Sequence, residues 1–160
     1  MNIFRAQSTE GLTEIRMEYL LEDFPEISAE LVEHIRAGLP EYYEEHLDRD
    51  FFAYIAEKDG KKVGSAFLVV NEMPPNASFP NGRTGTVLNV YVAPAYRRQG
   101  IAKALMELLI ADAKALELDF IELKASADGY PLYKKLGFKD SVSSFRPMKL
   151  ILERNKNEKG

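Results

Sequence analysis

The chain of 160 residues contains no cysteine and no tryptophan, only two histidines, and no long apolar run. Without cysteine there is no disulfide framework, no thiol nucleophile and no thiolate metal site. His34 and His46 have no metal-ligand spacing, so both read as structural or exposed and no metal is expected. No apolar stretch approaches the roughly 20 residues that cross a bilayer. The N-terminal "MNIFRAQSTEG" lacks a signal-peptide apolar region, and a cytoplasmic location is the expectation. Basic excess is also missing. The net charge is -4, a poor match to nucleic acid, whose phosphates need a positive footprint, and a better one to a cationic or amine partner.

What remains is ample for a globular domain: 46% hydrophobic and 29% charged residues. "NIFRAQ" reads as a first strand, followed from Thr9 by a helical pattern that Pro25 stops. Ser28 caps a second predicted helix through Ile35, with Gly38 and Pro40 punctuating before a further turn, "PEYYEEHL". From Phe51 the character changes. "FFAYIAE" and "KVGSAFLVV" form a hairpin around Asp59-Gly60, and residues 71–85 read as a long loop. "TVLNVYV" (Thr86–Val92) is apolar on both faces, as in a central strand. A helix follows from Ile101 to about Leu116. Then come a strand over Asp119–Ser126, a short helix over Tyr130–Leu136 stopped by Gly137, and a last strand over Phe145–Glu153. This order predicts one α/β domain over residues 1–153 with a mixed sheet, and a solvated polar tail over 154–160.

The stretch that carries chemistry is "NVYVAPAYRRQGIAKALM" (Asn89–Met106). A buried strand ends at a proline, and two arginines and a glycine precede a helix. A helix N-terminus leaves main-chain N–H groups without partners, and the helix dipole adds positive potential. Gly100 permits close approach, while Arg97 and Arg98 offer charge-assisted contacts. One reading is an anion cradle sized for a pyrophosphate; the other is a turn eased by glycine with solvated arginines. Neither the Gly-Lys-Ser/Thr phosphate loop nor the three-glycine dinucleotide fingerprint is present.

"RRQGIA" (Arg97–Ala102) resembles the Gln/Arg-x-x-Gly-x-Gly/Ala motif of the GNAT superfamily of N-acetyltransferases. "LNVYVAP" resembles that family's fourth strand, and "LYKKLGF" (Leu132–Phe138) its closing motif. The resemblance spans about Phe51 to Phe138. It implies a mostly antiparallel sheet splayed between strands 4 and 5 and flanked by helices, with acetyl-CoA as cosubstrate. It further implies a diphosphate on the amides of Arg98, Gln99, Gly100, Ile101, Ala102 and Lys103, with Arg97 beside them. A pantetheine arm would lie along Val90, Tyr91 and Val92, between the strands of Val90 and Ile121. The family's pantetheine-contacting asparagine is replaced here by "SADGYP", where Ser126 or Asp128 takes that place. Tyr133 is the implied acid for the departing thiolate, and Tyr130 covers the cofactor. Glu72 or Glu122 is the candidate base through water. Asn89, a polar residue in an apolar strand, marks a bulge, contacts substrate or is a satisfied core amide. "YYEEH" (Tyr42–His46) reads as a solvated helix face, with the substrate cleft as the alternative. The implied activity is acetyl transfer to a small-molecule amine or a protein amino group by direct attack in a ternary complex. A non-catalytic acyl-CoA-binding module is the alternative, and the resemblance leaves a homodimer open.

Overall fold

The computed structural model describes residues 1–153; the anticipated polar tail, 154–160, lies outside the described residues. The chain divides into two compact units, Met1–Ser126 and Ala127–Gly160.

The first unit is a five-stranded sheet in the order β1-β2-β3-β4-β5. Its strands are β1 (Asn2–Arg5), β2 (Phe51–Lys58), β3 (Lys61–Glu72), β4 (Arg83–Val92) and β5 (Ile121–Glu122). The first four are antiparallel neighbours, while β5 runs parallel to β4. This is the mixed, mostly antiparallel sheet anticipated from the sequence. The β2–β3 turn has Asp59 and Gly60 both at positive φ, the geometry such a two-residue connection requires.

Strand alternation sorts the side chains into two layers. Phe51, Ala53, Ile55 and Phe67 face α1 (Leu12–Asp23) and α2 (Ala29–His46), forming a core with Leu12, Ile15 and Tyr43. On the other face lies α3 (Ile101–Ala115), which buries Ile101, Leu105, Met106 and Leu109. Gly64 sits beneath it: a Cβ there would come within 3.1 Å of Ile101 and 3.3 Å of Leu105. On the same face the Tyr54 hydroxyl donates to Asp112 at 2.8 Å.

Three sequence expectations are corrected in detail. The segment 29–46 is one helix, with Pro40 inside it rather than at a new start. Pro40 removes one intrahelical donor, but burial of Tyr43 against Phe51 and Phe67 holds the following turn in helix. The expected long loop narrows to 73–82, because β3 and β4 pair out to Glu72 and Arg83. Asp119 anchors its end by accepting from the main-chain N–H groups of Asn81 and Arg83. Finally, only Ile121 and Glu122 of the fifth predicted strand pair with β4.

The second unit contains α4 (Tyr130–Leu136), with Gly137 at φ 104 as its left-handed stop. Tyr133 is buried and packs edge-on against Phe138, at 5.8 Å between ring centroids. The predicted last strand is not formed: 145–153 pairs with no strand among the described residues. Phe145, Met148, Leu150, Ile151 and Leu152 are exposed there. Alternation alone gives a strand pattern, but a strand needs a neighbouring ladder for its N–H and C=O groups.

Candidate active site

The site begins with a flaw in β4. Ser65 pairs with Tyr91 and Phe67 with Leu88, so Ala66 on β3 opposes both Asn89 and Val90 on β4. This is a β-bulge, and Asn89 takes a left-handed φ of 54 to make it. Asparagine tolerates that region better than most residues. Its side chain secures the bulge. Asn89 Nδ2 donates to Ser65 Oγ at 2.9 Å, and Ser65 Oγ donates to the Asn89 carbonyl at 2.8 Å. Arg16 Nη1 from α1 donates to Asn89 Oδ1 at 3.2 Å. Ser65 and Asn89 are 0% and 2% exposed, so these bonds satisfy groups that would be costly to bury alone. Of the roles weighed for Asn89, the structure places it at the bulge, with its amide held by Ser65 and Arg16.

Ahead of the bulge β4 and β5 part. Pairing stops at Thr86↔Glu122, and among the described residues no strand covers the outer edge of β4 from Val87 to Val92. Tyr91 is paired with Ser65 and the Val92 carbonyl is taken by Arg97, so the outward groups there are the Val90 main chain and the Val92 N–H, of the kind an extended ligand can use. Residues 94–96 form a short 3-10 turn leading to Gly100, the left-handed cap of α3 at φ 78. A Cβ at Gly100 would meet nothing within 4 Å. The first carbonyl of the turn is used, since Ala104 N–H donates to Gly100 O at 3.1 Å. No acceptor among the described residues serves the N–H groups of Gly100, Ile101, Ala102 and Lys103. Open space in front of undirected donors fits an anionic group.

The two arginines divide the work. Arg97 Nε donates to the Val92 carbonyl at 2.8 Å, and Nη2 binds Glu22 of α1 at 2.7 Å. Its guanidinium also lies 5.8 Å from the centre of the Tyr91 ring. Arg97 thus ties the turn to β4 and α1. Arg98 is exposed, at a left-handed φ of 65, and is the arginine left facing solvent beside the turn. Gln99 is exposed too, and Lys103 lies 3.9 Å from Glu107.

Alternation separates the two candidate bases. Phe67 and Val69 face α1 and α2, so Asn71 does as well; it donates to Thr86 Oγ1 at 3.0 Å. Glu72, one residue on, points to the α3 face, away from the cavity described next. Glu122 is the parallel partner of Thr86, and paired residues share a face. It therefore stands on the same side as Thr86 and Leu88. Both carboxylates are exposed.

Between the sheet and the first two helices lies a cavity of about 180 Å³, lined by Arg16, Leu39, Tyr42, Tyr43, Phe51, Phe67, Val69 and Leu88. It opens beside the bulge, where Leu88 is 38% exposed. Burial pushes the hydroxyls of Tyr42 and Tyr43 to more basic pKa values than usual, so both are protonated donors. The reading of "YYEEH" as a solvated face is corrected here, since Tyr43 is 2% exposed and both tyrosines line the cavity. The i, i+4 spacing from Leu39 to Tyr43 was the signal that could have found it. Arg16 had no such signal, because its part depends on the bulge. His46 bonds Asp50 at 2.8 Å. Ser126, Tyr130 and Tyr133 complete the anticipated set. Ser126 ends the first unit, whereas Tyr130 and Tyr133 belong to the second. There the Tyr130 hydroxyl donates to Asp140 at 2.8 Å.

Among the described residues no group of acidic or histidine side chains has a metal-binding arrangement, and no helix is long and apolar enough to cross a membrane.

Residues 10–138 match the model of the acetyltransferase (GNAT) family. No curated protein matches the chain. Among solved structures, a predicted acetyltransferase from Clostridium acetobutylicum, determined with acetyl-CoA, is similar at a TM-score of 0.78 and 26% identity. That match covers 92% of this chain and 95% of the other. A GCN5-related N-acetyltransferase from Ralstonia eutropha JMP134 shares the fold at a TM-score of 0.73 and 24% identity, over 92% and 99% of the two chains. A ribosomal-protein-alanine N-acetyltransferase from Brucella melitensis biovar Abortus 2308 matches at 0.57 and 27%, over 93% and 100%.

Proposed function

The chain belongs to the acetyltransferase (GNAT) family, and we propose that it transfers the acetyl group of acetyl-CoA to a primary amine by direct attack in a ternary complex. The observation that carries this reading is a single run of chain, Leu88 to Lys103. It presents a bulge, then an uncovered strand edge, then a turn of undirected main-chain donors. One extended ligand with amides in its arm and a diphosphate at its end can use all three in order.

In this reading Gly100, Ile101, Ala102 and Lys103 hold the diphosphate through their N–H groups, with Arg98 adding charge. The edge at Val90 and Val92 binds the arm as an added strand would. Arg97 keeps the turn in place through Val92 and Glu22. The locked bulge fixes where the edge begins and hence where the reacting carbonyl lies, which is the geometric requirement of a two-substrate reaction. An alkylammonium has a pKa near ~10 and must lose a proton before it attacks. Glu122, on the cavity side, is our base, acting through water; Glu72 faces the other way. The departing thiolate has a pKa near ~8.5, and Tyr133 is our donor to it, on the strength of its place in the "LYKKLGF" helix.

Free-thiol release from acetyl-CoA across a panel of amines tests the proposal. Turnover with at least one amine is expected. Tight coenzyme binding by calorimetry with no turnover on any amine would make the protein an acyl-CoA-binding module instead.

A further inference from the structure

The cavity between α1, α2 and the sheet has two chemically distinct parts. Its walls are hydrocarbon and aromatic: Leu39, Tyr42, Phe51, Phe67, Val69 and Leu88. Tyr42 meets Phe51 edge-on and Tyr43 meets it at a tilt, at centroid distances of 5.5 and 5.3 Å. At about 180 Å³ the space exceeds the roughly 150 Å³ of an apolar cavity that accepts benzene. The walls alone would define only a hydrophobic slot.

Donors mark its other part. Arg16 lines the cavity and spends one N–H on Asn89 Oδ1. Among the described residues it forms no ion pair. Tyr43 lines the same space at 2% exposure, and no described residue accepts a hydrogen bond from its hydroxyl. Arg16 and Tyr43 line one and the same cavity, Arg16 from α1 and Tyr43 from α2. Two donors thus lack an acceptor at the edge of an apolar space. Arg16 is half-buried and has guanidinium N–H groups beyond the one given to Asn89, and that planar fork suits a carboxylate. Because Arg16 is bonded to Asn89, this anion position is within one side chain of the bulge where the acetyl carbonyl would lie.

Resting on the transferase reading above, we propose that the acceptor is an apolar α-amino acid whose carboxylate binds Arg16 and Tyr43 and whose side chain fills the aromatic cavity. The α-carbon then carries the amine from the anion position toward the bulge. In the reaction the neutral amine nitrogen bonds to the thioester carbonyl carbon and the C–S bond breaks. The amine proton leaves with the base, and the thiolate leaves with a proton from the acid. The products are an N-acetylamino acid and free coenzyme A. The overall acidity of the chain, which favours a cationic partner, is locally reversed at this cavity.

The test compares acetylation of L-phenylalanine with phenethylamine, which lacks the carboxylate, glycine, which lacks the side chain, and spermidine, which is purely cationic. For the wild-type protein kcat/KM for L-phenylalanine should exceed each of the others by at least about 10-fold, the scale of one charge-assisted contact. Arg16→Gln should bring L-phenylalanine and phenethylamine within about threefold of each other, with Arg16→Lys between. Independently of turnover, N-acetyl-L-phenylalanine should raise the thermal midpoint of the wild type and not of Arg16→Gln. Phenethylamine or spermidine equalling L-phenylalanine overturns the acceptor assignment and leaves the transferase reading standing. Failure to bind acetyl-CoA, with no turnover on any amine, overturns both.

Discussion

Replacing Asn89 by alanine tests whether the bulge is held by side chains or merely tolerated. Three hydrogen bonds meet at this residue, and two use its side chain: Nδ2 to Ser65 Oγ and Arg16 Nη1 to Oδ1. Each such bond contributes about 0.5–1.5 kcal/mol net, and the one to a charged group lies at the upper end. Alanine must also hold the φ of 54 without asparagine's tolerance for it, at a cost of about 1 kcal/mol. The sum is about 2–4 kcal/mol, which a urea midpoint resolves. Asn89→Gly loses the same bonds but not the backbone preference, so it should recover roughly 1 kcal/mol of the alanine loss. A Ser65→Ala, Asn89→Ala cycle should show about 1 kcal/mol of coupling. Acetyl transfer should fall at least ~10-fold in kcat, because a relaxed bulge misplaces the carbonyl relative to the amine. A midpoint within ~0.5 kcal/mol of wild type, with unchanged kcat, would show that the main chain holds the bulge unaided.

Four further outcomes are expected. Gly100→Val should weaken acetyl-CoA binding in calorimetric titration by at least ~10-fold, since the branched side chain would fill the open space before the turn donors; unchanged affinity would place the diphosphate elsewhere. Tyr133→Phe should lower turnover by roughly 10²-fold while leaving coenzyme affinity nearly intact, and unchanged turnover would remove the acid role. Gly85→Ala should destabilise the fold by about 1–3 kcal/mol, because the new Cβ would come within 2.7 Å of Leu68 and 2.9 Å of Ile121; an unchanged melting temperature would mean that β4 and β5 are loosely joined. Burial and the bond to Asp112 raise the Tyr54 pKa above its ordinary 10. The folded state therefore keeps this proton where the unfolded state loses it, so the stabilisation is complete below pH 10 and declines as pH rises beyond it. Tyr54→Phe should flatten that alkaline decline in chemical denaturation, and an equally steep decline would assign it to other groups.

How much of this could be read from the residues depended on the range of the interactions involved. Asp59-Gly60, Gly100 and Gly137 each carry their own backbone preference, and the structure has all of them at positive φ where the sequence placed its turns. The helix from Ile101 and the strands from Phe51 and Lys62 announce themselves by periodicity, which neighbours in sequence suffice to define. Pro40 misled because a local rule met a tertiary force: the removed donor costs less than exposing Tyr43 would. The expected strand over 145–153 failed for the converse reason, since alternation supplies a face but not the partner that its main chain needs.

The site divides in the same way. Its turn was legible because a helix N-terminus and a glycine act within a few residues. The roles of Arg97 and Arg98 were not separable, because Glu22 lies 75 positions away and captures one of the two. The candidate bases looked equivalent until pairing with Thr86 and parity with Val69 set Glu122 and Glu72 on opposite faces. Arg16 gave no sign at all. Its importance follows from Asn89, whose left-handed backbone turns an amide into the link between a helix and a strand. A residue that breaks an apolar strand is therefore the most informative single position in this chain: the cost of burying it makes sense only if the bend it secures is used.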